Sequence, residues 1–154
     1  MEVSAPAIAT HDFDTLFAHT VCSTAYNEDS CDMLIEENGF MTLTSLLRRP
    51  SEEQLVIERK CANAVLKLAQ HERTRRLSVR HGAMGVLCEL ANSPSTDILD
   101  KVSKCLYLYA SDPSNHSIIV QNAGNLVTRL TKRTNLSLIS RRLLVRSVCF
   151  MSSR

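Results

Sequence analysis

Three stretches of the chain share one pattern: Glu37-Asn38-Gly39-Phe40-Met41-Thr42-Leu43-Thr44-Ser45-Leu46-Leu47, Arg80-His81-Gly82-Ala83-Met84-Gly85-Val86-Leu87-Cys88-Glu89-Leu90 and Gln121-Asn122-Ala123-Gly124-Asn125-Leu126-Val127-Thr128-Arg129-Leu130. Each puts a small-residue corner before a short apolar helix. The apolar pairs Leu43/Leu47, Val86/Leu90 and Leu126/Leu130 recur after 43 and then 40 residues. A second phrase precedes the corners, and its ends at Ala25, Ala69, Ala110 and Ser152 are spaced 44, 41 and 42. Self-similarity near 40 residues marks an array of helical units that bury their faces only against each other.

The periodicity predicts helices over 12–26, 30–37, 40–49, 53–70, 73–80, 83–92, 96–111, 115–121, 124–133 and 137–151, in an all-α chain. Breaks are expected at Gly39, Pro50-Ser51, Gly82, Ser93-Pro94, Pro113 and Gly124, residues that start or stop helices. Ser51, with Glu53 and Gln54 following, offers a capping-box-like entry to the longest helix. Val65, Leu66, Leu68, Val86, Leu87, Leu90, Leu106, Ile119, Leu126 and Leu130 are the expected continuous core. With 44% apolar residues, 5% aromatic and no Trp, that core must be built from aliphatic side chains and Cys, as close helix packing requires. Residues 1–11 read as a loose leader and 12–154 as a single domain. The leader has no basic residue ahead of its apolar part, so neither a secretory signal nor a transit peptide is expected.

The order of corner, short apolar helix, polar turn, longer helix ending in an A-L-x-x-L-A-like phrase and third short helix returning to the corner resembles the armadillo repeat, whose three-helix grammar it shares. The clearest unit runs from His81-Gly82-Ala83 through Leu90, the turn Asn92-Ser93-Pro94-Ser95-Thr96, and Leu106 to Ala110. The resemblance spans about residues 12–152, roughly three repeats with half-repeats at both ends, although glycine corners and leucine spacing alone also fit HEAT repeats. It implies a right-handed α-solenoid whose third helices line a concave groove for extended peptides. Armadillo proteins of the importin-alpha type hold such peptides with a Trp and, four residues on, an Asn. Those places fall here on His19, Asn63, Lys104 and Arg146, and on Ser23, Lys67, Leu108 and Phe150, so neither signature residue is at its place. In the later repeats the basic side chains Lys67, Lys104 and Arg146 take these places, joined one turn earlier by Arg59 and Arg142, and this looks more like the beta-catenin style of groove, which receives acidic segments.

Charge is divided along the chain. Residues 1–47 hold eight acids and no Lys or Arg, so all 18 bases lie from Arg48 onward. From Pro113 to the C-terminus there are seven bases and no acid, a field asymmetry that the net +2 conceals. The expected partner is therefore a protein with an acidic, extended or helical segment, bound by Arg59, Asn63, Lys67, Lys104, Arg142 and Arg146 through charge-assisted hydrogen bonds. Two other readings are a subunit built into a cytoskeletal, ciliary or organellar assembly, and nucleic-acid binding by the basic half. The second has little aromatic support, since Tyr107, Tyr109 and Phe150 are the only aromatic residues after Phe40. The helix over 137–151 carries apolar residues on more than one face, predicting a docking surface for another chain or for the acidic unit of a second copy. Alternatively, the stems of Arg141, Arg142 and Arg146 cover that surface.

Catalysis, metals and cofactors are not expected. Cys22, Cys31, Cys61, Cys88, Cys105 and Cys149 are never closer than nine residues apart, which gives no metal-ligand spacing. Cys22, Cys105 and Cys149 read as small core residues in a reducing, cytoplasmic setting. The five histidines are scattered, and the four glycines form no phosphate-binding string. No apolar run approaches the roughly 20 residues of a membrane span.

Overall fold

The computed structural model describes residues 5–153, with side chains for all of these except 5–12, 28 and 123. The helices are α1 (Ala5–Thr24), α2 (Glu28–Glu36), α3 (Gly39–Arg48), α4 (Gln54–Gln70), α5 (Glu72–Arg80), α6 (Ala83–Leu90), α7 (Thr96–Ala110), α8 (His116–Thr131) and α9 (Leu138–Ser152), with a 3-10 turn at Pro113–Asn115 before α8. No strand occurs among the described residues.

Three rows organise the packing. The long helices α1, α4, α7 and α9 lie side by side in that order, each against the next. Behind them α3 packs on α6 and α6 on α8, while α2 packs on α5 and α5 on the Pro113 turn. Side-chain ties follow the same period. Arg49 donates to Asp14 (3.2 Å), Arg48 to Glu89 (2.8 Å), Arg76 to Asp112 (2.7 Å), and Arg129 to the Cys88 carbonyl (2.8 Å), joining residues 35, 41, 36 and 41 positions apart. Arg73 likewise donates to Asp32 and Arg133 to the Ser93 carbonyl. Each long helix is also clamped to the entry of the next. The Thr15 hydroxyl donates to Glu53 (2.7 Å), the Ser93 hydroxyl to Glu58 (2.5 Å), and the Ser137 and Ser140 hydroxyls to Asp100 (2.7 and 2.5 Å). Helices thus pack on one another at a recurring sequence interval, an all-helical arrangement compatible with a solenoid.

Two corners turn the chain by left-handed residues, and differently. At the first, Asn38 takes φ 61° and Gly39 starts α3 so close to α2 that an added Cβ would lie 2.3 Å from the Leu34 carbonyl oxygen. At the second, Gly82 itself takes φ 103°, a conformation that a Cβ disfavours. The third expected corner is absent. Helix α8 runs unbroken through Gly124, whose backbone is not left-handed and whose missing Cβ faces open space, so nothing packs there to enforce a turn. Leu126 and Leu130 still reach the core from this straight helix.

Three further expectations are corrected. Helix α1 begins at Ala5 instead of near residue 12, with Pro6 in the first turn, where its missing N–H leaves no helical bond unmade. The part of the supposed leader over residues 1–4 lies outside the described residues. Ser51 forms a short turn, accepting from the Glu53 amide at 3.2 Å, and Glu53 precedes α4 without a side-chain cap. Leu66 is only half-buried, because it stands at the solvent edge of α4; the other nine expected core residues are buried.

Candidate functional site

Helix α4 has α1 and α7 on its flanks and α3, α5 and α6 behind it, so one face is left for solvent. Arg59, Asn63 and Lys67 follow at intervals of four and share that face. Arg59 is exposed, while Asn63 and Lys67 are half-buried. On α7 the corresponding positions, 41 residues later, are Asp100, Lys104 and Leu108. On α9, another 42 on, they are Arg142, Arg146 and Phe150. The six residues expected to bind a partner thus lie on three adjacent helices, at matching places, with Lys104, Arg142 and Arg146 exposed.

Pairing separates these bases from the structural ones. Arg48, Arg49, Arg73 and Arg76 hold carboxylates of neighbouring units, and Lys101 holds Asp97 on its own helix at 2.8 Å. Among the described residues Arg59, Lys104, Arg142 and Arg146 have no carboxylate partner. Asp100 interrupts the basic row in sequence, yet its carboxylate is turned to Ser137 and Ser140.

Aromatic side chains flank the strip, and of these the sequence reasoning places only Phe150 at a groove position. The Lys67 ammonium lies 5.0 Å from the centroid of the Tyr26 ring, a cation–π contact across the α1–α4 seam. Tyr107 and Phe150 meet at 5.7 Å across the α7–α9 seam. The signal was available: Tyr26 follows the first phrase end, and Tyr107 and Phe150 stand one position from each other's equivalents.

None of the six cysteines is in a disulfide. Cys22, Cys31, Cys61 and Cys105 are buried, Cys88 is half-buried, and Cys149, expected in the core, is exposed, 42 residues after the half-buried Tyr107 and beside the exposed Phe150. Burial pushes the Cys61 thiol up to about 12 and raises that of Cys105 further. Burial also raises the thiols of Cys22 and Cys88. Among the described residues no three His, Cys, Asp or Glu side chains converge as a metal site, and no helix is long and apolar enough to cross a membrane.

No protein-family model matches the chain, and neither does any curated protein. The functional reading therefore rests on the side chains themselves.

Proposed function

We propose that the chain is an armadillo-type, right-handed solenoid acting as a non-catalytic, cytoplasmic interaction module. Its ligand is an acidic segment of a partner protein, extended or helical, laid along the exposed strip of α4, α7 and α9. One observation carries this reading: Arg59, Lys104, Arg142 and Arg146 are exposed at matching places on adjacent helices and have no carboxylate partner among the described residues. Arginine forks and an ammonium in such a row favour repeated carboxylates over any single charge. The half-buried Asn63 amide adds a directional donor for a peptide backbone. Tyr26, Tyr107 and Phe150 supply flat apolar contact between the charges.

The test is fluorescence anisotropy with a labelled peptide of alternating Glu and Leu, at low and high salt, against the parent chain and a Lys104→Glu/Arg146→Glu variant. Binding by the parent that weakens with salt, and drops about tenfold or more in the variant at unchanged melting temperature, is expected. Equal binding by parent and variant would remove the strip as the site. A parent that ignores the peptide but retains a labelled single-stranded oligonucleotide would favour the nucleic-acid reading instead.

A further inference from the structure

Both ends of the stack expose apolar surface at positions that its interior buries. In the register of the phrase ends, Phe13, Phe17, Thr20 and Thr24 of α1 correspond to Ile57, Cys61, Ala64 and Leu68 of α4. Those four α4 residues are each at most 1% exposed, whereas Phe13 is 63% exposed. Phe17 stacks on Phe13 with ring centroids 6.4 Å apart. Phe17, Thr20 and Thr24 join Met33, Leu34 and Glu37 around an open groove of about 350 Å³ on the α1–α3 end. At the opposite end Arg141, Val145 and Val148 of α9 stand 42 residues after Leu99, Ser103 and Leu106, which are all fully buried. Here a groove of about 260 Å³ is lined by Leu130, Leu136, Arg141, Leu144 and Val145. Leu138, Ile139 and Val145 remain 65%, 68% and 63% exposed, so the arginine stems do not cover this end.

The two faces carry opposite charge. Asp29, Glu36 and Glu37 are exposed on the first end, and Glu37 lines its groove. Lys132 and Arg141 are exposed on the second, where Arg141 lines the groove. None of these five is ion-paired among the described residues. An end that mated with its own kind would bring like charges together around an apolar seam.

We propose that the occupant of each end is a second copy of this chain, the α8–α9 face of one copy seating on the α1–α3 face of the next. Such a contact is heterologous, so both faces stay available after each addition and the assembly grows as an open row. The apolar seam supplies the affinity, and the acid–base rim sets the orientation and makes it salt-sensitive.

Sedimentation velocity over a wide range of protein concentration tests this. The parent is expected to form a growing series of oligomers at low salt and fewer at high salt. Phe13→Glu/Met33→Glu blocks the first face and Val145→Glu/Val148→Glu the second, all at exposed sites where folding, followed by circular dichroism, is retained. Each blocked chain alone is then monomeric, while their equimolar mixture gives a one-to-one dimer and nothing larger. Should a blocked variant misfold, Glu37→Arg and Arg141→Glu each weaken association about tenfold, and combining the two reversals in one chain restores it. A parent that stays monomeric at every concentration in low salt overturns the proposal. So does a singly blocked chain that still dimerises with itself, or a mixture that does not associate.

Discussion

Arg76 Nε donates to Asp112 Oδ2 at 2.7 Å, linking α5 to the turn that leads into α8. The Ser114 amide and hydroxyl donate to the other oxygen at 3.0 and 2.8 Å. With Arg76 as the main cause, the Asp112 carboxyl is held down from 3.8 to about 2. Because the folded value is the lower one, the ionised carboxylate stabilises the fold above pH 3.8, and that contribution is lost as the pH falls toward about 2. Asp112→Asn should therefore lower the urea midpoint at neutral pH and flatten its fall between about pH 4 and 2. Parent and variant should converge at the acid end. A variant with the parent's full acid slope would remove Asp112 as a source of it.

Alanine at three glycines should give three different outcomes. Gly82→Ala forces a Cβ into a left-handed residue and should cost about 1–2 kcal/mol. Gly39→Ala should cost more than the roughly 1 kcal/mol typical of point substitutions, since its clash is with the Leu34 backbone and a backbone atom cannot rotate away. Gly124→Ala, in mid-helix with open space around it, should stabilise by about 0.5–1 kcal/mol. Chemical denaturation of the three variants decides, and destabilisation by the last would mean that α8 bends at Gly124 in solution.

The Leu90 side chain is completely buried between units, and Leu90→Ala should cost about 2–5 kcal/mol. Leu66→Ala, at the solvent edge of α4, should cost visibly less. Equal losses would place Leu66 in the core that the repeat pattern first suggested for it.

Thiol reagents should rank the cysteines by exposure. Cys149 should react with a maleimide in the native protein within the first labelling interval and Cys88 more slowly. Cys61 and Cys105, buried and with raised thiols, should react only on unfolding. Peptide mapping by mass spectrometry at successive times reads the order, and early loss of Cys105 would contradict the packing of α7 on its neighbours.

The row of long helices was legible because a buried helix leaves its apolar spacing in the sequence: Val65 and Leu68 in α4 reappear 41 residues on as Leu106 and Tyr109 in α7. The lost corner at Gly124 was not legible, since glycine is equally compatible with a turn and with an exposed helix, and only the empty space around it distinguishes them. Cys149 was misplaced for a related reason. Its apolar neighbours matched those of Cys105, but in the register of the phrase ends it stands 42 residues after the half-buried Tyr107, whereas the α9 equivalent of Cys105 is the buried Ser147. In the candidate strip, spacing placed Arg59, Lys104, Arg142 and Arg146 on comparable faces. That Asp100 turns away to two serines, and that Lys67 lies over Tyr26, depends on neighbours that no local pattern encodes.

The interval between tied residues has a consequence for how the chain reaches this form. Arg49 with Asp14, Ser93 with Glu58 and Arg48 with Glu89 close segments of 35, 35 and 41 residues, never the whole chain. Loop-closure entropy grows only with the logarithm of segment length, so each added unit meets nearly the same small entropic barrier as the one before. Folding can then start at any adjacent pair of units and spread in both directions, with the innermost helices last to open. Amide exchange should consequently fade in protection from α4 and α6 outward to α1 and α9, a gradient that a single cooperative globule would not show.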